Sequence, residues 1–133
     1  MADERWPTSG GRTVSDAALV DAHDDDFCYL TTRGRVTGRL HEIEIWFARE
    51  GNTLYFLAGA GEASDWVRNL RADPSVTVRV RETGYSASAR VVTDPDEDRR
   101  ARTLVFDKYQ PRNAGELVSW RERALPVALD VIV

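Results

Sequence analysis

Residues 40–49 restrict the fold more than any other stretch, because their polarity alternates with a period of two. Ile43, Ile45 and Phe47, with His41, share one face of an extended chain, while Glu42, Glu44 and Trp46 share the other. A helix would scatter both sets around its axis, so the segment predicts a half-buried strand. Shorter stretches read the same way. Residues 27–32 and 53–58 are rich in aromatic and aliphatic side chains. Residues 75–81 place Val76, Val78 and Val80 inward, and 85–93 and 127–133 complete the set. Glu50, Gly51 and Asn52 predict one hairpin turn, and Glu82, Thr83 and Gly84 another.

Between these strands lie helical patterns. Residues 62–72 carry Ala63, Trp66, Val67 and Leu70 on one stripe and end before Pro74. Asp94, Pro95 and Glu97 form a start signal for a helix reaching Tyr109, with Ala101, Leu104, Val105 and Tyr109 on its buried side. Short helices are also predicted over 116–123 and from Ser15 to about residue 22. About six strands joined by hairpins imply an antiparallel sheet, and closing that sheet removes costly open edges. The expectation is a mainly β (α+β) domain: a small, partly closed antiparallel barrel with peripheral helices.

Size and composition fit one such domain. The chain has 133 residues and 15.0 kDa, with 42% hydrophobic and 30% charged residues, the range of an ordinary globule rather than a disordered chain. Residues 1–14 read as a flexible arm and 15–133 as the domain. A net charge of −4 argues against a nucleic-acid partner. No apolar run approaches the roughly 20 residues of a membrane span, and the start is too polar for a signal peptide, so a cytoplasmic protein is expected. Cys28 stands alone, which excludes an internal disulfide and a cysteine metal centre.

Two segments carry candidate chemistry. Residues 30–39 read Leu-Thr-Thr-Arg-Gly-Arg-Val-Thr-Gly-Arg, with Arg33, Arg35 and Arg39 close together and no acid among them. Glycines, a threonine hydroxyl and the exposed amides of a tight turn suit a phosphate or a polycarboxylate. The same turn in an arginine-rich protein also reads as a solvated hairpin; only Lys108 among its 18 basic residues is a lysine. The second segment, residues 59–64, joins a strand to a helix through Gly59, Ala60, Gly61, Glu62, Ala63 and Ser64. Amides there could meet the edge of a planar ring, or the segment is a plain connection capped by Ser64 or Asp65.

The first motif resembles the Thr-Thr-x-Gly-Arg-x-[Ser/Thr]-Gly signature of the deazaflavin-dependent nitroreductase family. Residues 66–78, with Trp66, Asn69, Leu70, Ala72, Asp73, Pro74, Val76 and Val78, resemble that family's Trp-x-x-Asn-Leu-x-Ala-[Asp/Asn]-Pro-x-Val-x-Val block. The resemblance implies a split β-barrel, FMN-binding-like, that holds coenzyme F-420, a hydride carrier with a phosphate and a polyglutamate tail. It implies that Arg35, Thr37, Gly38 and Arg39 hold the phosphate and tail, assisted by Arg33. It further implies that residues 59–64, including Gly59, Ala60, Gly61, Ala63 and Ser64, face the ring, and that Trp66 and Asn69 fix the helix. The activity implied is reduction of a small quinone, nitroaromatic or enone; FMN on the same barrel and a non-catalytic coenzyme binder are the alternatives. Val36 stands where the family often has lysine, and residues 41–45 lack the family's Pro-Leu pair.

Other residues are read more plainly. His41 is near enough to the arginine turn to serve as a donor, or is an ordinary surface histidine. Tyr109 is a candidate lid or proton donor, or a core residue. Glu42 and Glu44 line a pocket or pair with arginines. Trp46 marks either a contact with a second copy of the chain, in a homodimer, or a face covered by a helix. His23 and the acids at 24–26 have metal-ligand types without the geometry of a site, and no metal is expected.

Overall fold

The computed structural model describes residues 25–132. The arm at 1–14 and the helix expected from Ser15 lie outside them. The strands are β1 Cys28–Arg33, β2 Leu40–Ile45, β3 Ala48–Glu50, β4 Thr53–Ala58, β5 Ser75–Val80, β6 Thr83–Val91 and β7 Leu125–Val131. All pair antiparallel in the order β2-β1-β5-β6-β7-β4-β3. The helices are α1 Asp65–Ala72, α2 Pro95–Tyr109 and α3 Val118–Arg123.

The sheet order explains the barrel. β2 and β3 stand at its opposite ends, yet only Trp46 and Phe47 separate them in the chain. A flat sheet of seven strands would hold its edges about 29 Å apart. Three peptide steps span at most about 11 Å. The sheet therefore curls until its edges approach, giving a seven-strand half-barrel rather than six strands. The single strand expected over 40–49 is two strands, because the chain leaves one edge of the sheet and joins the other within two residues.

Side-chain alternation survives that break. Ile43, Ile45 and Phe47 pack into the barrel interior with Leu30, Leu54, Phe56 and Val78. Trp46 and Ala48 face the opposite way, into a second core that α2 covers with Ala101, Val105 and Tyr109. The Trp46 ring stacks on Tyr109 at 4.3 Å and 3°, and meets Trp120 edge-on at 5.6 Å. The helix-covered reading of Trp46 therefore holds in this chain. Phe47 has left the β-ladder, so its backbone turns to side chains. Its N–H donates to the Tyr109 hydroxyl at 3.0 Å, and its carbonyl accepts from Lys108 Nζ at 2.8 Å.

Other boundaries shift for local reasons. The β5–β6 turn is Arg81 and Glu82, with Arg81 at φ 56°, and Gly84 is buried within β6. Asp94 caps α2 by accepting the Glu97 N–H at 2.9 Å, but the Glu97 carboxylate does not close a capping box. It pairs instead with Arg90 at 2.7 and 2.8 Å and accepts from the Tyr55 hydroxyl at 2.8 Å. Arg90 also reaches Asp130 at 2.7 Å.

Those Arg90 bonds hold the Glu97 and Asp130 carboxyls below the usual carboxylate range. Carboxyls depressed in the folded state add stability that is fully present above their unfolded values, near pH 4, and lost as pH falls through the folded ones. Urea melts taken from pH 6 to pH 2.5 should therefore show a flatter decline for Arg90→Gln than for the unaltered chain. Parallel declines would mean the cluster contributes nothing.

Candidate active site

The β1–β2 connection is a tight turn that closes on its own backbone. The Gly34 N–H donates to the Arg39 carbonyl at 2.6 Å, and the Gly38 N–H to the Gly34 carbonyl at 2.9 Å. Thr37 Oγ1 accepts the Arg39 N–H at 3.2 Å. Gly38 has φ +78°, where a side chain is strained. At Gly34 a Cβ would meet His41 Nε2 at 2.8 Å and the Arg39 carbonyl oxygen at 3.1 Å, so the imidazole lies against a bare backbone. The N–H groups of Val36 and Thr37 have no partner among the described residues.

This turn forms one wall of a cleft of about 610 Å³, with the start of β2 as the second wall and α1 as the third. Arg35, Val36 and Thr37 line it, with His41, Glu42, Asp65 and Trp66 opposite or beside them. Asn69, 4% exposed, joins the walls. Its Oδ1 accepts from Arg35 Nη1 at 2.8 Å and from the Arg35 backbone N–H at 3.2 Å, while its Nδ2 donates to Thr32 Oγ1 at 3.2 Å. Trp66 meets Phe56 edge-on at 6.2 Å, seating α1 on the barrel. The Asn69 carboxamide suits this role because it accepts and donates at once, whereas leucine there would leave the buried Thr32 hydroxyl and both Arg35 donors without it.

The three arginines differ in use. Arg35 is positioned by Asn69 and pairs with Asp65 at 3.3 Å. Arg33 does not line the cleft; it folds back to the Gly38 carbonyl at 2.8 Å and stands 3.8 Å from Asp73, so it braces the turn. Arg39 is exposed, and its guanidinium has no partner among the described residues.

The second predicted segment lies outside this cleft. None of residues 59–64 lines the cleft, because α1 begins at Asp65 and the loop lies beyond that end. The Ala63 and Ser64 N–H groups are also spent inside the loop, on the carbonyls of Ala60 and Gly61 at 3.1 Å each. Ser64 stands at the helix N-cap without a side-chain capping bond, and Asp65 turns to Arg35 instead of capping. Glu62, which would oppose an anion, is paired with Arg71 at 2.6 Å.

Of the two catalytic candidates, His41 lies in the cleft and Tyr109 does not. Tyr109 is 2% exposed, and its hydroxyl donates to the Asp26 carbonyl at 2.6 Å. Burial raises its phenol above the usual range, so it is a core residue rather than a lid. Glu42 lines the cleft and also faces Arg79 at 3.8 Å. Sequence reasoning missed the Asp65–Arg35 pair, since nothing local shows that residues thirty positions apart meet. Asp25 and Asp26 pair with Arg81 and Arg112, and no metal-holding cluster occurs among the described residues.

The family model described as F-420H(2)-dependent quinone reductase matches residues 9–131. The chain belongs to that family. It is thus an oxidoreductase whose cofactor is the deazaflavin coenzyme F-420. Solved structures share the split-barrel fold of this F-420-dependent reductase. A conserved hypothetical protein from Mycobacterium tuberculosis is 21% identical, covers 91% of this chain and 81% of its own, and superposes with a TM-score of 0.66. An F-420-H2-dependent reductase is 19% identical over 81% of this chain and 95% of its own, with a TM-score of 0.64. An FAD-binding protein from Mesorhizobium loti is 13% identical over 92% and 91%, with a TM-score of 0.67. Among the described residues no helix is long and apolar enough to cross a membrane.

Proposed function

We propose that this reductase passes a hydride from reduced coenzyme F-420 to a small electron-poor acceptor, a quinone, nitroaromatic or enone. The observation that carries the reading is the residue 34–39 turn. Beside one cleft it offers two N–H groups without a partner among the described residues, a guanidinium held by Asn69, and a second guanidinium, that of Arg39, likewise without one among them. That donor set fits a phosphate followed by carboxylates: amides meet phosphate oxygens, and arginines meet either group.

The bound coenzyme supplies the hydride, so the protein needs no acid–base pair of its own. Arg35, Val36, Thr37 and Gly38 hold the phosphate, Arg39 holds the tail, and Arg33 keeps the turn in shape. The loop at 59–64 meets the ring through Gly59, Ala60 and Gly61, whose N–H groups the loop itself leaves open. Asp65 draws charge from Arg35 and so limits how tightly a lone phosphate is held. FMN carries one phosphate and no acidic tail. The reading extends to a homodimer; its support is a solved domain-swapped dimer, 20% identical over 94% of this chain and 87% of its own, with a TM-score of 0.65.

Fluorescence titration of the purified chain with coenzyme F-420 and with FMN, at low and at high salt, tests the assignment. Tighter binding of the deazaflavin, weakening more steeply with salt because its tail is multiply charged, is the expected result. Binding of FMN alone would overturn it. Turnover of a quinone, nitroaromatic and enone panel with reduced coenzyme then names the acceptor class, and binding without turnover would leave a carrier protein.

A further inference from the structure

The Trp120 side chain stands close to the glycine loop at 59–64. It sits on α3, half-buried, and its indole N–H has no hydrogen-bond partner among the described residues. The ring is fixed from behind, edge-on to Trp46, which is itself stacked on buried Tyr109. Its Nε1 edge comes 3.6 Å from where a Cβ on Gly59 would stand. Indole N–H is a donor only, so it can meet nothing but an acceptor atom. Here a rigid donor, with no hydrogen-bond acceptor among the described residues, is held against the first residue of the glycine loop.

We infer that Trp120 is a specificity-determining residue, whose N–H donates to the carbonyl, quinone or nitro oxygen of the hydride acceptor. The inference rests on the preceding reading, in which residues 59–64 meet the coenzyme ring. Hydride arrival at a quinone carbon puts two electrons and one hydrogen on the acceptor and leaves negative charge on an oxygen. A proton from water neutralises that oxygen, the hydrogen on the ring carbon then moves as a proton through water to the second oxygen to give the hydroquinone, and the indole keeps its own. Among the side chains singled out above, Tyr109 has its hydroxyl buried and spent, and His41 lies by the anion-binding turn. Trp120 is the donor left beside the loop.

Menadione, added to the full chain saturated with oxidised coenzyme, is the probe. The indole N–H signals of the four tryptophans are followed by 15N NMR, and Trp120→Phe assigns the one in question. The signal should shift on adding menadione. In steady state Trp120→Phe should raise the menadione KM about fivefold, the loss of one ordinary hydrogen bond, with coenzyme affinity unchanged. A signal that menadione leaves unmoved once coenzyme is bound, or an unchanged KM, would overturn the inference. Failure of the unaltered chain to bind coenzyme would instead strike the preceding reading, and this one with it.

Discussion

Arg39→Ala should raise the dissociation constant of coenzyme F-420 about ten- to a hundredfold while leaving the melting temperature where it was. The first half follows from the worth of a hydrogen bond to a charged partner, about 1.5–3 kcal/mol, with each 1.4 kcal/mol a factor of ten. The second follows from the exposed guanidinium, which makes no hydrogen bond or ion pair with a described residue that its loss would remove. Arg35→Ala is the contrast. It should lose affinity and stability together, because Asn69 Oδ1 would be left with the Arg35 backbone N–H alone. Calorimetric titration beside thermal melts reads both quantities. A lowered melting point for Arg39→Ala would make the turn a structural element rather than a binding one.

Phe47→Ala should destabilise the protein by about 3–5 kcal/mol, the cost of emptying a large buried aromatic site. Phe47 is 0% exposed, lies in the barrel interior and carries the Lys108 ammonium 3.7 Å from its ring centroid. It also occupies one of the two positions by which the chain crosses between the sheet edges. Urea unfolding measures the loss, and Phe47→Leu, which keeps most of the volume, should recover a large part of it. A loss under about 1 kcal/mol would mean that the interior closes without this ring.

Much of this fold is legible in residue order. Period-two alternation finds β2 and β5, and Asp94 with Pro95 announces α2, because these signals act within a few residues. The break at Trp46 and Phe47 is not legible. Alternation runs straight through it, and only the distant Lys108 and Tyr109 supply the bonds that the ladder no longer provides. The glycine and arginine content of residues 33–39 predicts a turn there, and a turn is what the structure has. Which arginine is braced, positioned or unpartnered depends on Asp73, Asn69 and Asp65, more than twenty-five residues away. The same distance explains Asn69 itself: an apolar stripe reads helix α1 well but gives no reason to bury a carboxamide in it.

The crossing at Trp46 and Phe47 also ties remote parts of the molecule together. β2 supplies a wall of the cleft, and two residues beyond its end the backbone is gripped by the last turn of α2. Substitutions at Lys108 or Tyr109 would therefore re-aim that wall without touching any ligand. Laboratory selection for new acceptors should accumulate changes at the end of α2 as well as around the opening itself.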